Sequence, residues 1–166
     1  MDEEHVKKAR GEIIHEMVEV ENQMYYLIAT YYCRFNTQMH SEIQFSILLD
    51  FRFTLDFKQD VVLNIISKKF DKVFVDLHLS RFLKQGETLR NFIESLITYR
   101  NAVAHLNWFS ERTKDGYDYK LTSVTMKEGN LKEKTPKIIN HSDVDLFIQK
   151  AFAFKSLLSA ASCFFK

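Results

Sequence analysis

The chain has little of what breaks or staples a polypeptide: one Pro, four Gly and two Cys in 166 residues. So few breakers cannot serve the many tight turns of a sandwich or barrel, and helices should dominate. The two cysteines, Cys33 and Cys163, lie 130 positions apart with no Cys-x-x-Cys or Cys/His ligand spacing. Neither a disulfide framework nor a zinc site is indicated, no metal or cofactor is expected, and reduced thiols fit a cytoplasmic protein. No stretch approaches 18 uncharged apolar residues, and the Met-Asp-Glu-Glu-His start is acidic where a signal peptide is basic and then apolar, so no membrane segment is expected. Charge of one sign is also lacking. The 23 Lys plus Arg face 22 Asp plus Glu for a net +1, which gives no bulk field for nucleic acid, although a cancelled total can hide a local groove.

What is present is apolar and aromatic: 46% hydrophobic residues, with 15 Phe and 7 Tyr. That suffices for one core, and a single domain over residues 1–166 is expected. The aromatic excess is more than one small bundle hides, so a homodimer is expected to bury the remainder.

Apolar residues at Ile13, Ile14, Met17, Val20, Met24, Leu27, Ile28, Tyr31 and Tyr32 predict a long amphipathic helix from about Glu3 to Arg34. Arg34 to Met39 reads as a connection, followed by a short helix from Ser41 through Phe51 or Phe53. Thr54 then opens a helix that fades into Lys68 and Lys69, cations suited to a helix C-terminus. Asp71 to Lys84 reads as a further helix with Val73, Phe74, Leu77 and Phe82 inward, although Val-Phe-Val also tolerates a strand. Gln85-Gly86-Glu87 punctuates the chain. After it, the spacing of Leu89, Phe92, Ile93, Leu96, Ile97, Tyr99, Val103 and Leu106 marks a second strong helix.

The character changes between Ser110 and Asn140, which hold half the Gly and the only Pro. Tyr117, Tyr119 and Leu121 alternate with polar residues, Val124 and Met126 continue out of phase as at a bulge, and Glu128-Gly129-Asn130 signals a hairpin turn. These predict a ribbon over roughly 117–126 and 131–139. A final helix should start near His141, capped by Ser142 or Asp143, with Val144, Phe147, Ile148, Ala151, Phe152, Leu158, Ala161 and Phe165 inward. The fold class is therefore mainly α: an antiparallel bundle of four to six helices with a small β-hairpin, about 111–140, inserted before the last helix.

No Gly-rich phosphate loop, Ser/His/Asp order or paired-carboxylate motif stands out. The informative stretch is Tyr99-Arg100-Asn101-Ala102-Val103-Ala104-His105-Leu106, which places a guanidinium, an amide and an imidazole within two turns of an otherwise apolar segment. Spacing alone yields about one chance match in a chain of this composition. Arg10 with His15 and Arg34 with His40 have similar spacing, but the first pair lies on a highly charged start and the second crosses a predicted loop. Asn101 and His105, four apart, share a helix face, and the long Arg100 side chain can curl toward the same rim. A structural alternative pairs Arg100 with a carboxylate and sets His105 against the last helical carbonyls.

Arg100-Asn101-Ala102-Val103-Ala104-His105 resembles the signature of ribonuclease-like HEPN domains: Arg, often followed by Asn, then His after four to six residues. The first helix, from Gly11-Glu12-Ile13-Ile14 through Val20-Glu21-Asn22 to Leu27-Ile28-Ala29, is similar to that family's opening helix. Leu55-Asp56-Phe57-Lys58 is similar to a middle segment of some members. The resemblance implies a dimer in which two motifs line one cleft, acting as a metal-independent endoribonuclease and often as the toxin of a toxin–antitoxin or phage-defence pair. It makes RNA and a protein antitoxin the expected partners, and Arg100, Asn101 and His105 the expected catalytic residues. Imidazole suits acid/base work on the 2′-hydroxyl or the leaving oxygen, Arg100 supplies a fixed planar charge for phosphorane oxygens, and Asn101 would orient the ring or bind phosphate. Glu21 would be a supporting residue near the cleft.

Two features depart from the family. Some members carry a Tyr two residues beyond the His that a partner nucleotidyltransferase modifies; here that position is Asn107. The 111–140 ribbon is long for an insertion, with seven basic residues against five acidic. Lys120, Lys132 and Lys134 with nearby tyrosines would track RNA phosphate and stack bases, or else defend a solvated strand edge. A catalytically silent HEPN-like module binding protein or nucleotide is the alternative function.

Overall fold

The structure, a computed structural model, describes residues 3–34, 37–43, 54–113, 116–122, 124–127, 130–133 and 137–165. Among them the protein is mainly α, with six helices and a small antiparallel β insertion before the last. The helices are α1 (Glu3–Cys33), α2 (Thr37–Glu42), α3 (Leu55–Lys69), α4 (Lys72–Leu79), α5 (Leu89–His105) and α6 (His141–Cys163). None is long and apolar enough to cross a membrane.

Side-chain caps set several boundaries. Thr54 Oγ1 accepts from Phe57 N at 3.3 Å to open α3, and Asp71 Oδ1 accepts from Phe74 N at 2.9 Å to open α4. Lys68 and Lys69 occupy the last turn of α3, as the sequence suggested. The cap of α6 is Asn140, not Ser142 or Asp143. Asn140 Oδ1 accepts from Asp143 N at 2.9 Å while Asp143 Oδ2 accepts from Asn140 N at 3.0 Å, a reciprocal box that satisfies two exposed donors. The short helix expected from Ser41 instead begins at Thr37, inside the presumed connection; residues 44–53, on which the rest of that expectation fell, lie outside the described residues.

Gly86, at φ 79°, forms the turn between α4 and α5, with Glu87 N donating to Lys84 O at 2.9 Å. A Cβ there meets nothing within 4 Å, so the cost of a side chain is conformational alone. Gly86→Ala should lower stability by about 1–2 kcal/mol, with Gly86→Asn milder because Asn tolerates the left-handed region. Urea midpoints of the two variants check this; an unchanged midpoint for Gly86→Ala would contradict it.

The chain packs as two compact units, one made of Met1–Met17 and Ser95–Gln149, the other of Val18–Glu94 and Lys150–Lys166. In the first, Ile13 and Met17 of α1, Leu96 and Val103 of α5, and Val144 and Phe147 of α6 are buried. Its β insertion has strands β1 (Asn107–Thr113), β2 (Gly116–Thr122), β3 (Val124–Lys127), β4 (Asn130–Glu133) and β5 (Lys137–Asn140). The expected ribbon exists as two antiparallel stretches, β2 with β5 (Tyr119↔Ile139) and β3 with β4 (Lys127↔Asn130). Ser123 and residues 134–136, on which the expected bulge between Leu121 and Val124 falls, lie outside the described residues. Glu128 and Gly129 of the predicted turn lie outside the described residues. The ribbon is not alone: β1 adds to β2 (Trp108↔Leu121), giving the order β1-β2-β5. Tyr119, Leu121 and Ile139 are buried, and Ile138 is exposed, as strand alternation requires.

In the second unit, Met24, Leu27 and Ile28 of α1, Val62, Ile65 and Ile66 of α3, Phe92 and Ile93 of α5, and Phe154, Leu157 and Leu158 of α6 are buried. Phe92 meets Phe154 edge-on with centroids 6.2 Å apart. The inward set expected for α4 is wrong at two positions: Val73 and Leu77 are 74% and 79% exposed, and Leu79 is the residue that α4 buries. Tyr32 and Phe152, assigned inward, are also exposed.

Candidate functional site

The motif occupies the last two turns of α5. Leu96, Tyr99 and Val103 follow the helical repeat, and Tyr99 stacks on Phe147 of α6 with centroids 4.8 Å apart and planes 18° from parallel. Asn101 lies about 200° round the helix from Tyr99, and His105 one turn beyond Asn101. Both are exposed. Anchoring one face therefore turns the amide and the imidazole outward. Arg100, half-buried, donates from Nη1 to Asn101 Oδ1 at 2.9 Å, and among the described residues it forms no ion pair with a carboxylate.

Sequence reasoning missed Arg10. Set aside as part of a charged helix start, it donates from Nη2 to Ala104 O at 2.6 Å, one residue before His105. Its partner is a backbone carbonyl 94 positions away, so no residue pattern signals the contact.

Glu21 belongs to the second unit, where it forms a closed cluster with Tyr25 and Lys58. Lys58 Nζ lies 3.0 Å from Glu21 Oε1 and donates to the Tyr25 hydroxyl, which in turn donates to Glu21 Oε1. The ammonium also sits 4.1 Å from the centroid of the Tyr25 ring. Lys58 is only 4% exposed. Its signal was in the sequence: Lys58 is in phase with buried Val62, Ile65 and Ile66, so its stem enters the core. Of the basic residues expected to meet RNA, Lys120 lies on β2 and Lys132 on β4, while Lys134 lies outside the described residues.

Two tyrosines are electrostatically distinctive. Burial first, then the hydrogen bond and charge of Glu21, push the Tyr25 phenol above its ordinary range. Burial, followed by Asp143 and Tyr119, does the same for Tyr99. Unfolded tyrosine ionises near pH 10, so above that pH the folded chain binds more protons than the unfolded chain. The resulting stability is fully present below about pH 10 and is lost as pH rises beyond it, by at most about 1.4 kcal/mol per pH unit for each residue. Urea unfolding at pH 9, 10 and 11 should show this decline, reduced in Tyr25→Phe; a flat profile would contradict it.

The first unit also holds an open cleft of about 480 Å³, where His5, Lys8, Glu12, His141 and Asp145 surround buried Tyr119. His141 Nε2 lies 3.9 Å from Asp145 Oδ2. Among the described residues no three His, Cys, Asp or Glu side chains gather as a metal-ligand set. In comparison with known proteins, no family model, curated protein or solved structure matches the chain.

Proposed function

We propose that the chain is a HEPN-like endoribonuclease that cleaves RNA without a metal ion, working as a homodimer in the cytoplasm as the effector of a toxin–antitoxin or phage-defence pair. One observation carries the proposal. The residues that match the ribonuclease signature share the last two turns of α5, with Asn101 and His105 at the surface and Arg100 bonded to the Asn101 amide. A catalytically silent module would have less reason to leave its guanidinium without a carboxylate partner among the described residues.

In this mechanism the RNA 2′-hydroxyl attacks the adjacent phosphorus. One imidazole removes the hydroxyl proton, and a protonated group, the partner's motif supplying the second imidazole, donates to the departing 5′-oxygen. The P–O5′ bond breaks as the P–O2′ bond forms, leaving a 2′,3′-cyclic phosphate and a 5′-hydroxyl. Arg100 offsets the charge that accumulates on the phosphorane oxygens, and Asn101 fixes the guanidinium plane. The proposed homodimer would cover some of the large apolar side chains left exposed, such as Val73, Leu77 and Phe152.

The purified chain incubated with RNA and excess chelator should yield fragments with cyclic phosphate and 5′-hydroxyl ends. Intact RNA, or fragments with 5′-phosphate ends, would overturn the proposal.

A further inference from the structure

α5 ends at His105, so the carbonyls of its final turn lack partners within the helix. Leu106 N reaches back to Ala102 O at 3.0 Å. Ala104 O is instead taken by Arg10 Nη2 at 2.6 Å, within the unit formed by Met1–Met17 and Ser95–Gln149. Arg10 is half-buried, and its neighbours Ala9 and Ile13 are buried, which fixes the backbone from which the guanidinium reaches. The bond is charge-assisted, and it places a permanent cation at the negative end of the α5 dipole. A helix terminus held this way frays less than one capped by water.

We propose that Arg10 is a positioning residue for His105: by holding the Ala104 carbonyl it fixes the last turn of α5 and the backbone from which the imidazole projects. This rests on the reading of His105 as the proton-transfer group. Proton transfer needs the ring within hydrogen-bond reach of its target, and a displacement of about 1 Å can cost on the order of a hundredfold in rate. Arg10 itself is assigned no contact with RNA.

The test uses the full chain as wild type, Arg10→Ala and Arg10→Lys, with two kinds of readout. Amide hydrogen exchange at Leu106 and the NMR line of the His105 ring Cε1–H report the clamp whether or not RNA is cleaved. In Arg10→Ala, exchange at Leu106 should rise about fivefold or more and the ring line should shift or broaden, while the Phe92 and Ile93 amides stay protected. Arg10→Lys keeps a charged donor and should restore most of both. With RNA, Arg10→Ala should lower kcat about fivefold or more with KM within about twofold, and Arg10→Lys should recover it. Unchanged exchange and ring signal in Arg10→Ala overturn the proposal. If both change but kcat does not, while His105→Ala abolishes cleavage, the positioning role fails and the ribonuclease proposal stands. If the wild type leaves RNA intact, the ribonuclease proposal fails separately, and exchange and the ring line decide whether Arg10 holds His105.

Discussion

On the ribonuclease reading, Arg100→Ala and His105→Ala should each lower RNA cleavage by about 10²- to 10⁴-fold, the range lost with a general acid or base or with a charge that stabilises the transition state. The thermal midpoint should barely move in either variant. His105 is exposed, and half-buried Arg100 bonds its exposed neighbour Asn101, so neither truncation strands a buried charge. The two losses should also differ in kind. Removing the imidazole takes away proton transfer and should flatten the pH–rate profile. Removing the guanidinium leaves proton transfer intact and should preserve the profile at a lower rate, and Arg100→Lys should recover only part because an ammonium lacks the planar fork. Because the proposed cleft draws one imidazole from each motif, a mixed dimer of wild-type and His105→Ala chains should lose cleavage as the His105→Ala homodimer does; half the wild-type rate would show that each motif acts alone. Full activity in both single variants would sink the ribonuclease assignment.

Glu21→Ala should destabilise the second unit by about 3–5 kcal/mol, because it leaves the 4%-exposed Lys58 ammonium without its carboxylate. The Tyr25 hydroxyl and ring remain, but a neutral acceptor does not offset a buried charge. Lys58→Met should cost less, about 1–2 kcal/mol: the surviving Glu21 side chain is 24% exposed and can take water, and the thioether fills much of the lysine stem's volume. Glu21→Leu combined with Lys58→Met should cost less than Glu21→Ala alone, since replacing both members by apolar groups is close to neutral where breaking the pair is not. Urea midpoints for the three variants test the order. A Glu21→Ala cost below about 1 kcal/mol would show that the cluster is not what holds α3 to α1 at this point.

The long helices were legible because each buries one face along its length. α1 and α5 show the apolar repeat, and of its members in α1 only Tyr32 is exposed. α4 is too short for periodicity to choose between faces. Val73 and Leu77 make as good a stripe as Leu79 does, and what decides is which side meets the rest of its unit, a fact external to the segment. β1 escaped for a related reason: Asn107–Thr113 alternates poorly, and it is a strand because β2 is beside it. At the candidate site the residue types and spacing of Arg100, Asn101 and His105 could be read from the chain. Arg10 could not, because it binds a carbonyl that every residue possesses.

The first unit is assembled from the beginning of the chain and from residues 95–149, with the whole Val18–Glu94 stretch intervening. During synthesis, therefore, the start of α1 emerges with none of its partners yet made. At roughly 5–20 residues per second the ribosome needs several seconds to deliver α5. Until then Ile13 and Met17 expose apolar surface, and Arg10 has no carbonyl to grip. The contact that closes the end of α5 spans 94 residues, which makes it costly in loop entropy and places it late in folding. In a nascent chain the end of α5 is consequently unclamped by topology alone, and the Arg10–Ala104 contact forms only once the end of α5 has left the exit tunnel.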